Sequence, residues 1–180
     1  MLTEKQLDRY ADILIWGVKT SRTATLKRND IFLVRFDLPA LRLAEILQSK
    51  LLDMGMNPVL RMNSTPIMER TFFEKANAKQ LTFQYPGDRP FYSALNGSIF
   101  LQAPASITHL SDTDPKKIGK AAIARKYIRD ILVKRDEKGL YSWTLCMLPT
   151  RELADHAGLT IEKYAGQVVK ACFLNKREPI

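Results

Sequence analysis

Ile31-Phe-Leu-Val-Arg-Phe36 and Asn57-Pro-Val-Leu-Arg-Met62, with the stretch that joins them, decide the fold. Each is short, rich in β-branched or large apolar side chains, and bounded by turn formers, as a buried strand should be. Between them Asp37 and Pro39 end the first strand and open a helix, since proline is tolerated in a first helical turn. Leu41, Ala44, Leu47, Leu51 and Leu52 form the apolar stripe of that helix, and Gly55 supplies its left-handed stop. A strand, a helix of about four turns and a second strand in so short a span make a βαβ unit, and hence a parallel pair.

The alternation extends in both directions. Upstream, Thr3-Glu-Lys-Gln6 has the pattern of a capping box, and Leu7, Tyr10, Ala11, Leu14 and Val18 fall at helical steps, predicting an amphipathic helix over 3–18. A polar, basic loop runs from Lys19 to Asp30. Downstream, Thr65-Pro66 opens a helix through Ala76. Leu81–Tyr85 reads as a short strand closed by Pro86-Gly87-Asp88, and Ser98–Gln102 as another closed by Pro104. Asp114-Pro115 opens one long basic helix to about Lys134. Gly139 marks a turn, and Leu140–Leu148 is the longest strand-like run. Thr150 caps a short helix stopped at Gly158, and Thr160 caps a last one with Ile161, Tyr164, Val168 and Cys172 on one face. The pattern predicts an α/β layered domain over residues 1–180, with a largely parallel sheet flanked by helices.

Composition excludes several classes. Of 180 residues, 46% are hydrophobic and 26% charged, too apolar for intrinsic disorder. The 8 Gly and 9 Pro are too few for a collagen-like or low-complexity chain. Cys146 and Cys172 are the only cysteines, and neither has a metal-finger partner in sequence. The longest apolar runs, such as Ile13–Trp16 and Ile31–Val34, fall far short of the roughly 20 residues a membrane span needs. Charge begins at Glu4, so no secretory apolar stretch follows the start. Unpartnered thiols then point to a reducing, cytoplasmic setting with no membrane partner.

The net charge of +9 raises nucleic acid or an anionic ligand as a partner. The basic residues lie in three groups, around Lys19–Arg28, Lys116–Arg129 and Lys134–Lys138. In the second group they recur every three to five positions, with Ile118, Ala121, Ala122, Ile128, Ile131 and Leu132 between them. That is the wet face of an amphipathic helix, and no aromatic-interleaved RNA box, finger or zipper accompanies it. Nucleic acid is therefore not the expected partner.

Motifs for chemistry are sparse. No glycine-rich dinucleotide or phosphate loop follows the first strand, and no nucleophile elbow occurs. His156 could pair with Glu152 or stand beside Asp155, as surface helix residues commonly do. His109, in Ser106-Ile-Thr-His-Leu110, lies on a loop after a strand, where α/β sheets place ligand groups. A Cys146–His109 pair would require the fold to bring them together, and Cys146 inside an apolar strand reads as a buried, inert thiol. Asp37 and Asp112 read as turn and cap formers. From its residues alone the chain offers no catalytic, metal-binding or cofactor-binding assignment.

Several segments together resemble one family. Leu7-Asp-Arg-Tyr-Ala-Asp12 is similar to the leading helix of the thermophilic-type metallo-aminopeptidases, the aminopeptidase T and aminopeptidase S group. So are Asp30-Ile-Phe-Leu-Val-Arg-Phe36 and the helix end Met54-Gly-Met-Asn-Pro-Val59. Ser111-Asp-Thr-Asp-Pro115 resembles that family's acidic loop before its long helix. Trp143-Thr-Leu-Cys-Met-Leu-Pro-Thr150, with Ala154, Ala157-Gly158 and Leu159-Thr-Ile-Glu162, resembles its Trp-x(5)-Pro-Thr segment and the helix after it. One departure is Asn29-Asp30 in place of a Gly-Asp turn. The other is length. The family's metal ligands lie in a C-terminal half, so none passes to a residue here.

The resemblance implies the N-terminal, non-catalytic domain of a metallo-aminopeptidase that releases N-terminal residues from peptide substrates. It implies two divalent ions, zinc or cobalt, in the full-length enzyme and none bound by this segment. It also implies packing against a C-terminal catalytic domain, a homodimer when full length, and no activity in the segment alone. The surface meeting that domain should be unusually apolar. The competing expectation is a free-standing basic α/β module that binds nucleic acid or an anionic ligand.

Overall fold

The computed structural model describes residues 2–176; the chain end, Glu178-Pro-Ile180, lies outside the described residues. Helix α1 (Glu4–Thr20) starts on the expected capping box. Thr3 Oγ1 accepts from the Gln6 backbone N–H at 3.3 Å, and Gln6 Oε1 accepts from Thr3 N–H at 2.9 Å. Strand β1 (Ile31–Phe36) leads through a short 3-10 turn (Leu38–Ala40) into α2 (Leu41–Asp53). Gly55, at φ 74°, reverses the chain into β2 (Asn57–Met62). Then come α3 (Pro66–Lys75), α4 (Ala78–Leu81), α5 (Asp88–Ala94), β3 (Gly97–Gln102), α6 (Pro115–Ala124), α7 (Lys126–Glu137), β4 (Ser142–Met147), α8 (Arg151–His156) and α9 (Ile161–Ala171).

The four strands form one all-parallel sheet in the order β2-β1-β3-β4. From β1 the chain moves outward to β2 and then returns to lay β3 on the other side. The gap between β1 and β3 is therefore the topological switch point, the place where open α/β sheets hold ligands beyond the strand C-termini. Pro58 lies on the edge strand β2, where a missing N–H is tolerated.

Strand pleating divides the apolar residues between two faces. Phe32, Val34, Phe36, Ile99, Leu101 and Cys146 join α1, α2 and α9 in the larger core. Leu33 on the opposite face packs with Tyr92, Leu95 and Tyr141, under Ile128, Ile131 and Leu132 of α7. A smaller cluster of Phe73, Leu81 and Ala121 joins α3, α4 and α6.

Three expectations need correction. Leu81–Tyr85 is not a strand. Asn77 and Gln80 form a second capping box that starts α4, Leu81 turns into the small cluster, and Phe83 and Tyr85 stack edge-to-face at 5.2 Å. The long basic helix is two helices. The chain turns at Arg125 (φ −100°, ψ 0°), so that α6 packs Ala121 on Phe73 while α7 lays its apolar side over the sheet. One straight helix could not reach both targets. Helix α5, where a closing turn alone was expected, supplies Tyr92 to the second face.

Candidate functional site

At the C-terminal ends of the strands, three carboxylates converge on the loop that follows β3. Asp37, just past β1, accepts the Ala103 N–H on Oδ2 at 2.7 Å and the Asn63 amide on Oδ1 at 2.7 Å. Asn63 in turn accepts from the Arg35 guanidinium at 2.9 Å. Glu152 of α8 accepts the Ile107 N–H at 2.8 Å. Glu69 of α3 lies 2.8 Å from His109 Nε2; a carboxylate only accepts, so Nε2 carries the proton. A helix start, a strand end and a second helix thus fix one loop at the switch point. Bonds of this type to charged acceptors are the stronger class.

Each sequence candidate now has a place. Asp37 is a clamp between strand ends rather than a cap, because its side chain makes no cap bond to the turn it precedes. Asp112 lies, largely exposed, in the turn that Thr113 N–H closes on the Leu110 carbonyl, while Asp114 caps the helix, accepting Lys116 N–H at 2.9 Å. Glu152 turns to Ile107 instead of His156, which is exposed. His109 has the partner its sequence context did not show. Cys146 is not brought to His109: it is buried in the larger core, near Tyr10 and Cys172, and burial pushes its thiol up to about 12. Cys172 Sγ lies 3.4 Å from Tyr10 Oη, and burial, with both thiols nearby, raises the Tyr10 hydroxyl as well. Cys146 and Tyr10 are thus held neutral, which suits packing and not nucleophilic chemistry.

Each of the three carboxylates at the strand ends is engaged in a protein hydrogen bond. Among the described residues no group of three or more His, Cys, Asp or Glu is placed to hold an ion. Nothing local in sequence signals the carboxylate clamps, because their partners lie 26 to 66 residues away along the chain.

Several basic side chains also serve the fold. Lys117 donates to the Phe73 carbonyl at 2.7 Å, Arg135 to the Leu95 carbonyl at 2.9 Å and Arg22 to the Asn96 carbonyl at 3.2 Å. Large apolar side chains surround the same end of the sheet: Leu38, Met62, Ile67, Met68 and Ile107 are all exposed, Ile67 at 79%. The hydrogen-bonded loop is thus framed by exposed apolar groups. No helix among the described residues is long and apolar enough to cross a membrane.

A family model described as thermophilic metalloprotease (M29) matches residues 3–180. Comparison with curated proteins finds no match. Among solved structures, wild-type AmpT from Thermus thermophilus is similar in fold, with a TM-score of 0.67 at 15% sequence identity. The likeness covers 94% of this chain but 43% of that one, so the chain spans less than half of the neighbour's length.

Proposed function

The chain belongs to the M29 thermophilic metalloprotease family, and from that premise we propose that it is the N-terminal, non-catalytic domain of a dinuclear metal-dependent aminopeptidase. Its role is architectural. The fixed loop at the switch point and the apolar groups around it pack against a catalytic domain, shape a wall of the cavity that admits peptides, and contribute to a dimer of the full-length enzyme. The observation that carries this reading is the span of the match: nearly the whole chain corresponds to 43% of AmpT. The carboxylates at the strand ends fit an architectural role, since Asp37, Glu69 and Glu152 each hold the loop after β3. Zinc or cobalt belongs on this reading to residues of the catalytic domain, as does the cleavage step, and the setting is cytoplasmic.

The test is an assay of leucine release from a leucyl peptide by the 180-residue chain in zinc or cobalt. No release above the rate of metal alone is the expected result. Metal-dependent release that survives repurification and is abolished by Asp37→Ala would overturn the reading.

A further inference from the structure

Strand β4 reverses the usual arrangement of an amphipathic strand. Its buried side carries small groups: the Ser142 hydroxyl donates to the Val18 carbonyl at 2.9 Å, and the Thr144 hydroxyl to the Leu14 carbonyl at 3.2 Å. Its other side carries Trp143 and Leu145, 47% and 49% exposed, with Phe100 of β3 edge-to-face against Trp143 at 6.3 Å. The large apolar groups face outward.

The strand is also an edge. Ser142 N–H donates to Asn96 O and Leu148 N–H to Gln102 O, so even-numbered residues turn their backbone groups toward β3. By the alternation of a parallel ladder, Trp143, Leu145 and Met147 turn theirs away, toward the side where the sheet has no further strand among the described residues. Natural edges are blunted by charge, proline or a bulge, and Ser142–Met147 has neither charge nor proline.

Beside this edge, between the sheet and α7, runs a cleft of about 530 Å³. Arg35, Arg125 and Arg129 line it with Phe100 and Trp143, against a single carboxylate, Asp136. The geometry points to a docking site for an extended segment of a separate polypeptide that carries both apolar and acidic side chains. The segment pairs its backbone with the open edge of β4, lays apolar groups on Trp143 and Leu145, and places carboxylates against Arg125 and Arg129. Charge decides the occupant. A second copy would bring a net charge of +9 against the same arginines. The chain's own C-terminal helix α9 packs on the opposite face of the sheet, and Asn175 accepts from Gln6 there at 2.9 Å. This inference stands independently of the metallopeptidase reading.

The experiment follows Trp143 fluorescence in a Trp16→Phe background while a short synthetic peptide of valine, leucine and glutamate is titrated in. A lysine-for-glutamate counterpart serves as the control. A saturable blue shift with the acidic peptide alone is expected. Arg129→Glu should weaken it by about tenfold or more. Leu145→Pro removes an outward N–H without touching the ladder to β3, and should weaken binding similarly. Should that variant fail to fold, methylating alternate backbone nitrogens of the peptide gives the same readout from the other partner. Equal binding of both peptides, indifference to Leu145→Pro and to backbone methylation, or no saturable shift would overturn the proposal. So would self-association of the chain that competes with the peptide, because the occupant would then be a second copy.

Discussion

The two faces of the sheet are made from alternate residues of the same four strands, yet they are finished differently. On one, Phe32, Val34, Ile99 and Leu101 are sealed under α1 and α2, and even the hydroxyls of β4 are bonded to α1 carbonyls. On the other, α5 and α7 cover Leu33 and Tyr141, but Phe100 and Trp143 line the open cleft and Leu145 stays exposed. Apolar content therefore does not say which face is core. What separates them is whether a helix has closed over the surface. The sealed face holds the fold together, and the open one remains available to a partner.

Truncation in the core is the strongest way to sharpen that contrast. Phe32→Ala should cost about 3–5 kcal/mol and Leu101→Ala about 2–5 kcal/mol, the range for buried large-to-small changes. Leu145→Ala on the open face should cost about 1 kcal/mol or less. Urea midpoints at constant slope measure all three, and equal losses on both faces would break the comparison.

A subtler test lies where α1 meets β4. A Cβ on Gly17 would stand 2.7 Å from the Thr144 methyl, whose hydroxyl is tied to Leu14. Gly17→Ala should therefore cost about 1–3 kcal/mol despite its better helix propensity. Adding Thr144→Ser, which removes the methyl and keeps the hydroxyl, should recover most of the loss. A double-mutant cycle with no coupling would show that the approach is not close.

The switch-point clamp should give an effect of similar or smaller size. Asp37→Ala leaves the Ala103 N–H unanswered and should cost about 1–3 kcal/mol. Asp37→Asn keeps an oxygen for Ala103 but sets an amide against that of Asn63. Turning Asn63 over would then break its bond to Arg35. Faster exchange of the Ala103 amide in both variants is the expected signature.

The thiols give the smallest effect at neutral pH. At pH 8 an aromatic disulfide reagent should label half-buried Cys172 and spare Cys146 until the chain unfolds. Burial raises the folded Cys146 thiol from an ordinary 9.0 to about 12. The folded state thus holds its proton while the unfolded state loses it. The contribution to stability is unchanged below pH 9.0 and declines as pH rises toward about 12. Stability that rises across that window would contradict the placement of Cys146.

The sequence carried the fold where local rules act alone. The strands Ile31–Phe36 and Asn57–Met62, the Thr3 capping box and the turns at Gly55 and Gly139 depend on neighbours a few residues away. It failed where distant contacts decide. The basic helix bends at Arg125 because its halves serve two clusters, whereas the helix at Leu81 carries a local signal of its own, the Asn77–Gln80 capping box. At the site the same division holds. His109 was visible as a loop histidine, but its partner Glu69 is 40 residues away. Asp37 was visible as a strand-end carboxylate, but Ala103 is 66 residues away. The family resemblance came from collinear segments, which survive when individual contacts cannot be read.

The central claim is that this chain builds a framework whose carboxylates hold a loop, while the ions that cleave peptides are held elsewhere. Equilibrium dialysis of the 180-residue chain against zinc and cobalt, followed by metal analysis, tests it most directly. The account predicts no stoichiometric retention of either ion. Retention of two equivalents, lost together in the Asp37→Ala, Glu69→Ala and His109→Ala variants, would contradict it.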